Sequence, residues 1–468
     1  MKFFSGNSRD IFLIDHDHNK ILTYSDAEQQ VKKLVNTIRS ADKKLAFLFC
    51  EQNYQTIIRY LALLEAGHTV LLLDGKLNDE IKSELILTYS PEIIFSRLPV
   101  PSDDYISNGA EDMFLSVKKH KEFPPLYKEL AVLLSTSGTT GSPKLVRLSY
   151  SNLESNAASI ISYLNIKPND RAINSLPMSY SYGLSIVNTH MAAGGSLVLT
   201  NRSFTLKDFW EIFDKYKCTS FAGVPHSYEL LKKTYFHTYD LPSMKTMTQA
   251  GGRLSEELIR YFHQISLLKK RNFYVMYGQT EATARISYLP PHLLPEKAGS
   301  IGIPIPGGKL EIMNNDGEIT QPNSAGQLVY KGKNVMLGYA ESRNDLSKGD
   351  ELNGILYTGD IGYKTEDGLF YICGRLKRFI KIYGLRLNLD DVEKMIETKL
   401  HLTNACTGED ESLKILISSP ERINETDITK AVSLYYGIRP SVINVKIVNT
   451  IPFTCTGKKD YKIVSSFF

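Results

Sequence analysis

The feature that most constrains this chain is an apolar run, Leu130 to Leu134, that leads straight into Ser135-Thr136-Ser137-Gly138-Thr139-Thr140-Gly141-Ser142-Pro143-Lys144. Consecutive apolar residues of this kind read as a buried strand. The loop behind it is made of small residues, which let a backbone turn tightly and approach a polyanion closely. Six of its ten positions carry a hydroxyl, and successive N–H groups in such a turn form an anion nest. Lys144 adds a point charge. A Walker A loop needs Gly before the lysine and Ser or Thr after it. Here Pro143 and Leu145 stand in those places, so an ordinary nucleotidase is not indicated. Read alone, the segment is equally a Ser/Thr-rich surface loop.

A chain of 468 residues exceeds what one core normally serves, so at least two domains are expected. Lys and Arg number 55 against 51 Asp and Glu, a net charge of +4. That balance gives no argument for nucleic acid or an anionic membrane. The basic run at Leu268–Arg271 reads as the solvated end of a helix. Five cysteines without a CxxC pair argue against a disulfide framework or zinc site and fit a reducing, cytoplasmic setting. The first ten residues lack a sustained apolar stretch, so no signal peptide is expected, and no run approaches a membrane span.

Strand and helix patterns alternate along the chain, which points to an α/β fold. Leu61–Asp74 reads as helix, turn and buried strand. Ser25 with Glu28, and Ser151 with Glu154, each suggest a capping box ahead of an apolar helix face. From Gly308 the pattern turns to strands and tight turns, and a polar hinge follows at Gly374–Arg378. The expected boundary divides a large domain, residues 1–376, from a small mobile α+β domain, residues 377–468.

Further segments carry chemistry. In Tyr277-Gly278-Gln279-Thr280-Glu281, a tyrosine could stack on a purine, a threonine bond a phosphate and a carboxylate hold Mg²⁺. The same residues could simply cap a helix. Asp360 in a glycine turn could grip ribose hydroxyls or close an Asx turn. Pro452–Lys458 places a lysine on a glycine-containing loop near the last residue given.

These pieces occur together and in order. Leu64–Asp74 resembles "LxAGxxxxPLD" with Leu73 for its proline. Ser135–Lys144 matches "STSGTTGxPKG" with Leu145 for the last glycine. Tyr277–Glu281 matches "YGxTE", Gly326–Tyr339 matches "GELxxxGxxVMxGY", Tyr357–Asp360 matches "YxTGD", Gly374–Arg386 matches "GRxxxxIKxxGxR", and Pro452–Lys458 matches "PxTxxGK". The chain resembles the adenylate-forming superfamily of acyl-CoA synthetases, luciferases and adenylation domains. The resemblance implies that ATP, Mg²⁺ and a carboxylic acid give an acyl-adenylate, which passes to the thiol of CoA or of a phosphopantetheinylated carrier protein acting in trans.

It also implies residue roles. Thr136, Ser137, Gly138, Thr139, Thr140, Gly141 and Lys144 would hold the outer phosphates. Tyr277 and Gly278 would face adenine beside Gly251 and Gly252. Thr280 would meet the α-phosphate and Glu281 the Mg²⁺. Asp360 and Arg375 would bind ribose. Lys377 would be the hinge, Lys458 the adenylation lysine and Lys381 its counterpart in thioester formation. Tyr180, Ser181 and His226 would line the acyl pocket. Ser181 stands where α-amino-acid-activating members carry Asp, and a buried ammonium without a carboxylate is poorly paired. An ordinary α-amino acid is therefore not expected as substrate.

Overall fold

A computed structural model describes residues 5–77, 79–100, 104–110, 113–118, 123–135, 144–314, 317–319, 321–375, 378–382, 385–419, 423–454 and 457–468. The chain is α/β and divides into two compact units. The first comprises Met1–Ala298, Pro304–Lys309 and Lys331–Leu356; the second comprises Gly299–Ile303, Leu310–Tyr330 and Tyr357–Phe468.

The first unit is built on two sheets. In one, Leu45–Cys50, Thr69–Asp74 and Leu130–Ser135 lie side by side, with Leu45–Cys50 parallel to Thr69–Asp74 and Thr69–Asp74 parallel to Leu130–Ser135. Their nearly unbroken apolar sequences suit strands covered on both faces. Helix Tyr54–Glu65 makes the crossover between the first two. Leu145–Ser149 returns antiparallel to Leu130–Ser135, so Ser135 and Leu145, at the two ends of the phosphate-loop candidate, are paired. In the other sheet, Ser220–Gly223, Thr246–Gln249 and Asn272–Tyr277 are parallel neighbours. Helix Ser181–Ala192 is almost wholly buried.

Both helix caps lie two residues earlier than the sequence patterns suggest. Thr23 caps helix Tyr24–Ile38 in a box with Asp26, while Glu28 pairs with Lys32. Ser149 caps Tyr150–Leu164 in a box with Asn152. In each case a strand ends on the capping residue itself, Lys20–Thr23 and Leu145–Ser149, so no loop residue is left to cap. The basic run also differs from expectation. Helix Glu256–Leu268 does end there, but Arg271 is buried and donates to the Leu241 carbonyl at 2.9 Å.

The second unit has its own core. Ile380, Val392, Ile396, Cys406, Ile415 and Val432 belong to one buried cluster. Strands Thr403–Glu409 and Ser412–Ser418 are antiparallel, and Ile443–Val448 adds in parallel. Among the described residues, no helix is long and apolar enough to cross a membrane.

Candidate active site

The Tyr277–Glu281 motif leaves the end of strand Asn272–Tyr277 and enters a single 3₁₀ turn, Thr280–Ala282. Gly278 is required by close approach: a Cβ there would lie 1.9 Å from the Ala284 carbonyl oxygen. Thr283 then adopts φ +65°, unusual for a β-branched residue. Its neighbours over-determine that conformation. Thr283 Oγ1 donates to the Asn334 carbonyl at 2.7 Å, and the buried Asn334 amide donates to the carbonyls of Ala282 and Arg285, each at 2.9 Å. The Met336 N–H donates to the Glu281 carbonyl at 2.9 Å. The motif turn is thus pinned by the segment before Tyr339.

That segment also reaches the carboxylate. Tyr339 Oη donates to Glu281 Oε1 at 2.9 Å, and burial together with Glu281 pushes the phenol well above its ordinary pKa. Lys144 Nζ lies 3.8 Å from the centroid of the Tyr339 ring and 3.8 Å from Glu341 Oε1. The structure therefore brings Lys144 and Glu281 onto the same tyrosine. Glu281 has no basic partner among the described residues. One such carboxylate suits Mg²⁺, which binds through one or two carboxylates plus substrate phosphates.

Ser181 meets the same turn, with its Oγ 3.3 Å from Thr280 Oγ1. Tyr180 is buried ahead of helix Ser181–Ala192, and burial pushes its phenol up to about 12. Its hydroxyl sits against Gly251, where φ is +90° and a Cβ would come within 2.4 Å of it. Gln249 Nε2 donates to the Gly252 carbonyl at 2.8 Å. His226 lies in the first turn of helix Pro225–Lys233, with Nδ1 3.3 Å from Glu229 Oε2.

A cavity opens beside this motif, lined by Tyr182, Ser185, His190, Thr248, Met276 and Arg285 among others. Ser181 lines a smaller neighbouring cavity. Neither Tyr180 nor His226 lines either one. Arg285, Asn334 and Tyr339 were not identified as site residues by sequence reasoning. Tyr339 closes the Gly326–Tyr339 motif and Asn334 lies inside it, so its spacing was the available signal for both; Arg285 had none.

In the second unit, Asp360 and Arg375 are opposite one another on paired strands. Arg375 Nε donates to Asp360 Oδ1 at 2.8 Å, with Asp360 buried and Arg375 exposed. Lys458 sits on a tight loop: its N–H meets Thr454 Oγ1 at 3.2 Å, its carbonyl accepts from the Thr454 N–H at 2.7 Å, and Gly457 has φ +73°. Lys381 belongs to strand Phe379–Ile382, paired with Arg386; its side chain lies outside the described residues. So do Thr136, Ser137, Gly138, Thr139, Thr140, Gly141 and Lys377.

The profile of the AMP-binding enzyme family matches residues 4–340. The chain belongs to this family. The resemblance of its ordered motifs to adenylate-forming enzymes holds accordingly. This AMP-binding enzyme is 29% identical to a probable 4-coumarate–CoA ligase of Dictyostelium discoideum over 72% of its own length and 64% of that relative's. It is 27% identical to an oxalate–CoA ligase of Arabidopsis thaliana, over 72% and 67%. Its fold matches that of O-succinylbenzoate coenzyme A synthetase from Bacillus subtilis in complex with ATP and magnesium ion. The TM-score is 0.76 at 21% identity, covering 98% of this chain and 97% of that one.

Proposed function

We propose that this AMP-binding enzyme joins a carboxylic acid to a thiol through an acyl-adenylate. A carboxylate oxygen attacks the α-phosphorus of Mg-ATP, the bond to the β-phosphate breaks and pyrophosphate leaves. A phosphopantetheine thiol then attacks the acyl carbon and AMP leaves. The names of the relatives favour CoA as the thiol; a carrier protein offers the same group.

The observation that carries the reading is the arrangement around one turn: Thr280 beside Ser181, and Glu281 held by Tyr339 with Lys144 over the same ring. Attack on phosphorus builds charge on the phosphoryl oxygens, and fixed donors and cations stabilise it without reorganising. Mg²⁺ on Glu281 would neutralise the phosphates. Lys144 would hold their outer end and Thr280 would donate to the α-phosphate. In the second unit, Asp360 and Arg375 would take the ribose and Lys458 the developing charge, with Lys377 as the hinge and residues 377–468 as the mobile domain. Ser181 in the acyl-pocket motif offers no countercharge to an ammonium, which supports a substrate other than an ordinary α-amino acid.

The test is acid-dependent ATP–pyrophosphate exchange with Mg²⁺, followed by product mass with CoA and with a phosphopantetheinylated carrier. Exchange and an acyl thioester are the expected results. Absence of both exchange and ATP binding would overturn the reading.

A further inference from the structure

Arg285 is 2% exposed and lines the cavity beside the motif turn. Three other arginines shielded from solvent, Arg147, Arg343 and Arg378, meet carboxylates, while the buried Arg271 donates to the Leu241 carbonyl. Arg147 pairs with Glu351, and Arg343 with Glu92 at 2.6 Å. Arg378 pairs with Glu393 at 2.7 Å and with Asp390. Arg285 has none among the described residues. Its Nε donates to Tyr163 Oη at 3.2 Å and its plane lies over the Tyr182 ring, 4.6 Å from the centroid. Its two terminal nitrogens donate to no described residue. Burial holds Tyr163 and Tyr182 in their neutral forms, with phenols pushed up to about 12 and higher still. Neither can supply a countercharge.

A buried, unpaired guanidinium is costly, and its planar fork matches a carboxylate in two parallel hydrogen bonds. The cavity around it is otherwise lined by apolar side chains, by hydroxyls including Ser185 and Thr248, by His190, and by Asp170, whose carboxylate pairs with Lys245 at 2.7 Å. Its walls share chain segments with the proposed reacting centre. Helix Ser181–Ala192 supplies both Ser181 and Tyr182, and one segment supplies Met276, Thr280, Glu281 and Arg285.

We propose that Arg285 is the specificity residue of the acyl pocket and selects an acid bearing a second carboxylate at its far end. This rests on the acid-activating reading above: one carboxylate reacts, and the other pairs with Arg285.

The experiment is ATP–pyrophosphate exchange on the full chain with length-matched pairs: succinate and butyrate, glutarate and valerate, phthalate and benzoate. Losing one partner of a buried, hydrogen-bonded charge pair costs on the order of 30-fold or more. At least one diacid should therefore exceed its monoacid by roughly that factor in kcat/KM. Arg285→Leu should remove that advantage by lowering the diacid's kcat/KM far more than the monoacid's, and Arg285→Lys should restore part of it. Monoacids turned over by the native enzyme as well as their diacids would overturn the proposal, and this comparison needs no variant. Equal loss for both members of a pair in Arg285→Leu would place the guanidinium on the reacting carboxylate and also overturn it. Exchange with monoacids alone sinks this proposal and keeps acid activation; no exchange and no ATP binding sinks both.

Discussion

Glu393 offers the sharpest perturbation of the second unit. Its carboxylate accepts from Arg378 at 2.7 Å, Lys459 at 2.7 Å, Tyr461 Oη at 3.1 Å and the Cys406 N–H at 2.8 Å. Burial alone would push its pKa up, but Lys459 and Arg378 outweigh it and hold the group below the ordinary carboxylate range. Removing one partner of a buried ion pair costs about 3–5 kcal/mol. The value can be built from the parts. Glu393→Ala orphans the Cys406 amide, a fully buried donor, at about 1–3 kcal/mol. Arg378 keeps Asp390 and the Cys406 carbonyl, whereas Lys459 loses its ion pair and is only 29% exposed at its side chain. Glu393→Gln retains an acceptor for Cys406 and should be milder by about that amide term.

The assay is urea unfolding of the full chain together with hydrogen exchange at the Cys406 amide. For Glu393→Ala, a loss of about 3–5 kcal/mol and exchange faster by at least 10²-fold are expected. A loss under about 1 kcal/mol, the range of an exposed ion pair, with exchange unchanged, would refute the reasoning. The pH sign follows from linkage. Glu393 titrates lower when folded, so the unfolded chain binds more protons between the two pKa values. The stabilisation is complete above the unfolded pKa, near 4.5, and disappears as pH falls through the folded one. Lys459 directly follows Lys458, so Glu393→Gln should also slow adenylation, by up to 10²-fold if the loop shifts by about 1 Å.

The other expectations are simpler. Lys458→Ala should lower acid-dependent ATP–pyrophosphate exchange by about 10²–10³-fold while thioester formation from a supplied acyl-adenylate falls far less; single-turnover assays separate the two. Tyr339→Phe removes the donor to Glu281 and should raise the Mg²⁺ concentration for half-maximal exchange about 10–100-fold, as for other residues that orient a metal ligand, read by Mg²⁺ titration. Gly251→Ala meets both a left-handed backbone and the Tyr180 hydroxyl, so a loss of about 1–3 kcal/mol is expected by thermal unfolding, with weaker ATP binding.

What was legible in the sequence is what repeats over short distances. The strand over Leu130–Leu134 and the helix–turn–strand of 61–74 follow from apolar runs and turn residues. The ordered motifs named the family. The cap positions did not follow, because the Ser-x-x-Glu patterns sit one step inside helices whose strands end on Thr23 and Ser149. Arg271 looked solvated because its partner, the Leu241 carbonyl, is 30 residues away. Glu393 binding Lys459 across 66 residues, and Arg285 without an acid among the described residues, arise only when distant elements pack.

The two departures from the family pattern show how far local motif and fold can separate. Leu145 replaces a glycine at the end of the phosphate loop. It is the first residue of a strand, paired with Ser135 and fully buried in a cluster with Leu130, Leu133 and Leu73. Leu73 replaces a proline and pairs with Phe49 in a strand that has neighbours on both sides. A proline there would take away an N–H that an interior strand can use, whereas leucine adds apolar contact to the same cluster as Leu145. The two substitutions thus act on one patch of core, trading backbone freedom for burial. Thr280, Glu281 and Lys144, the residues proposed to meet the phosphates and Mg²⁺, keep the family's identity. On the proposed reading, selectivity comes from the walls around them, where Arg285 stands without a countercharge among the described residues.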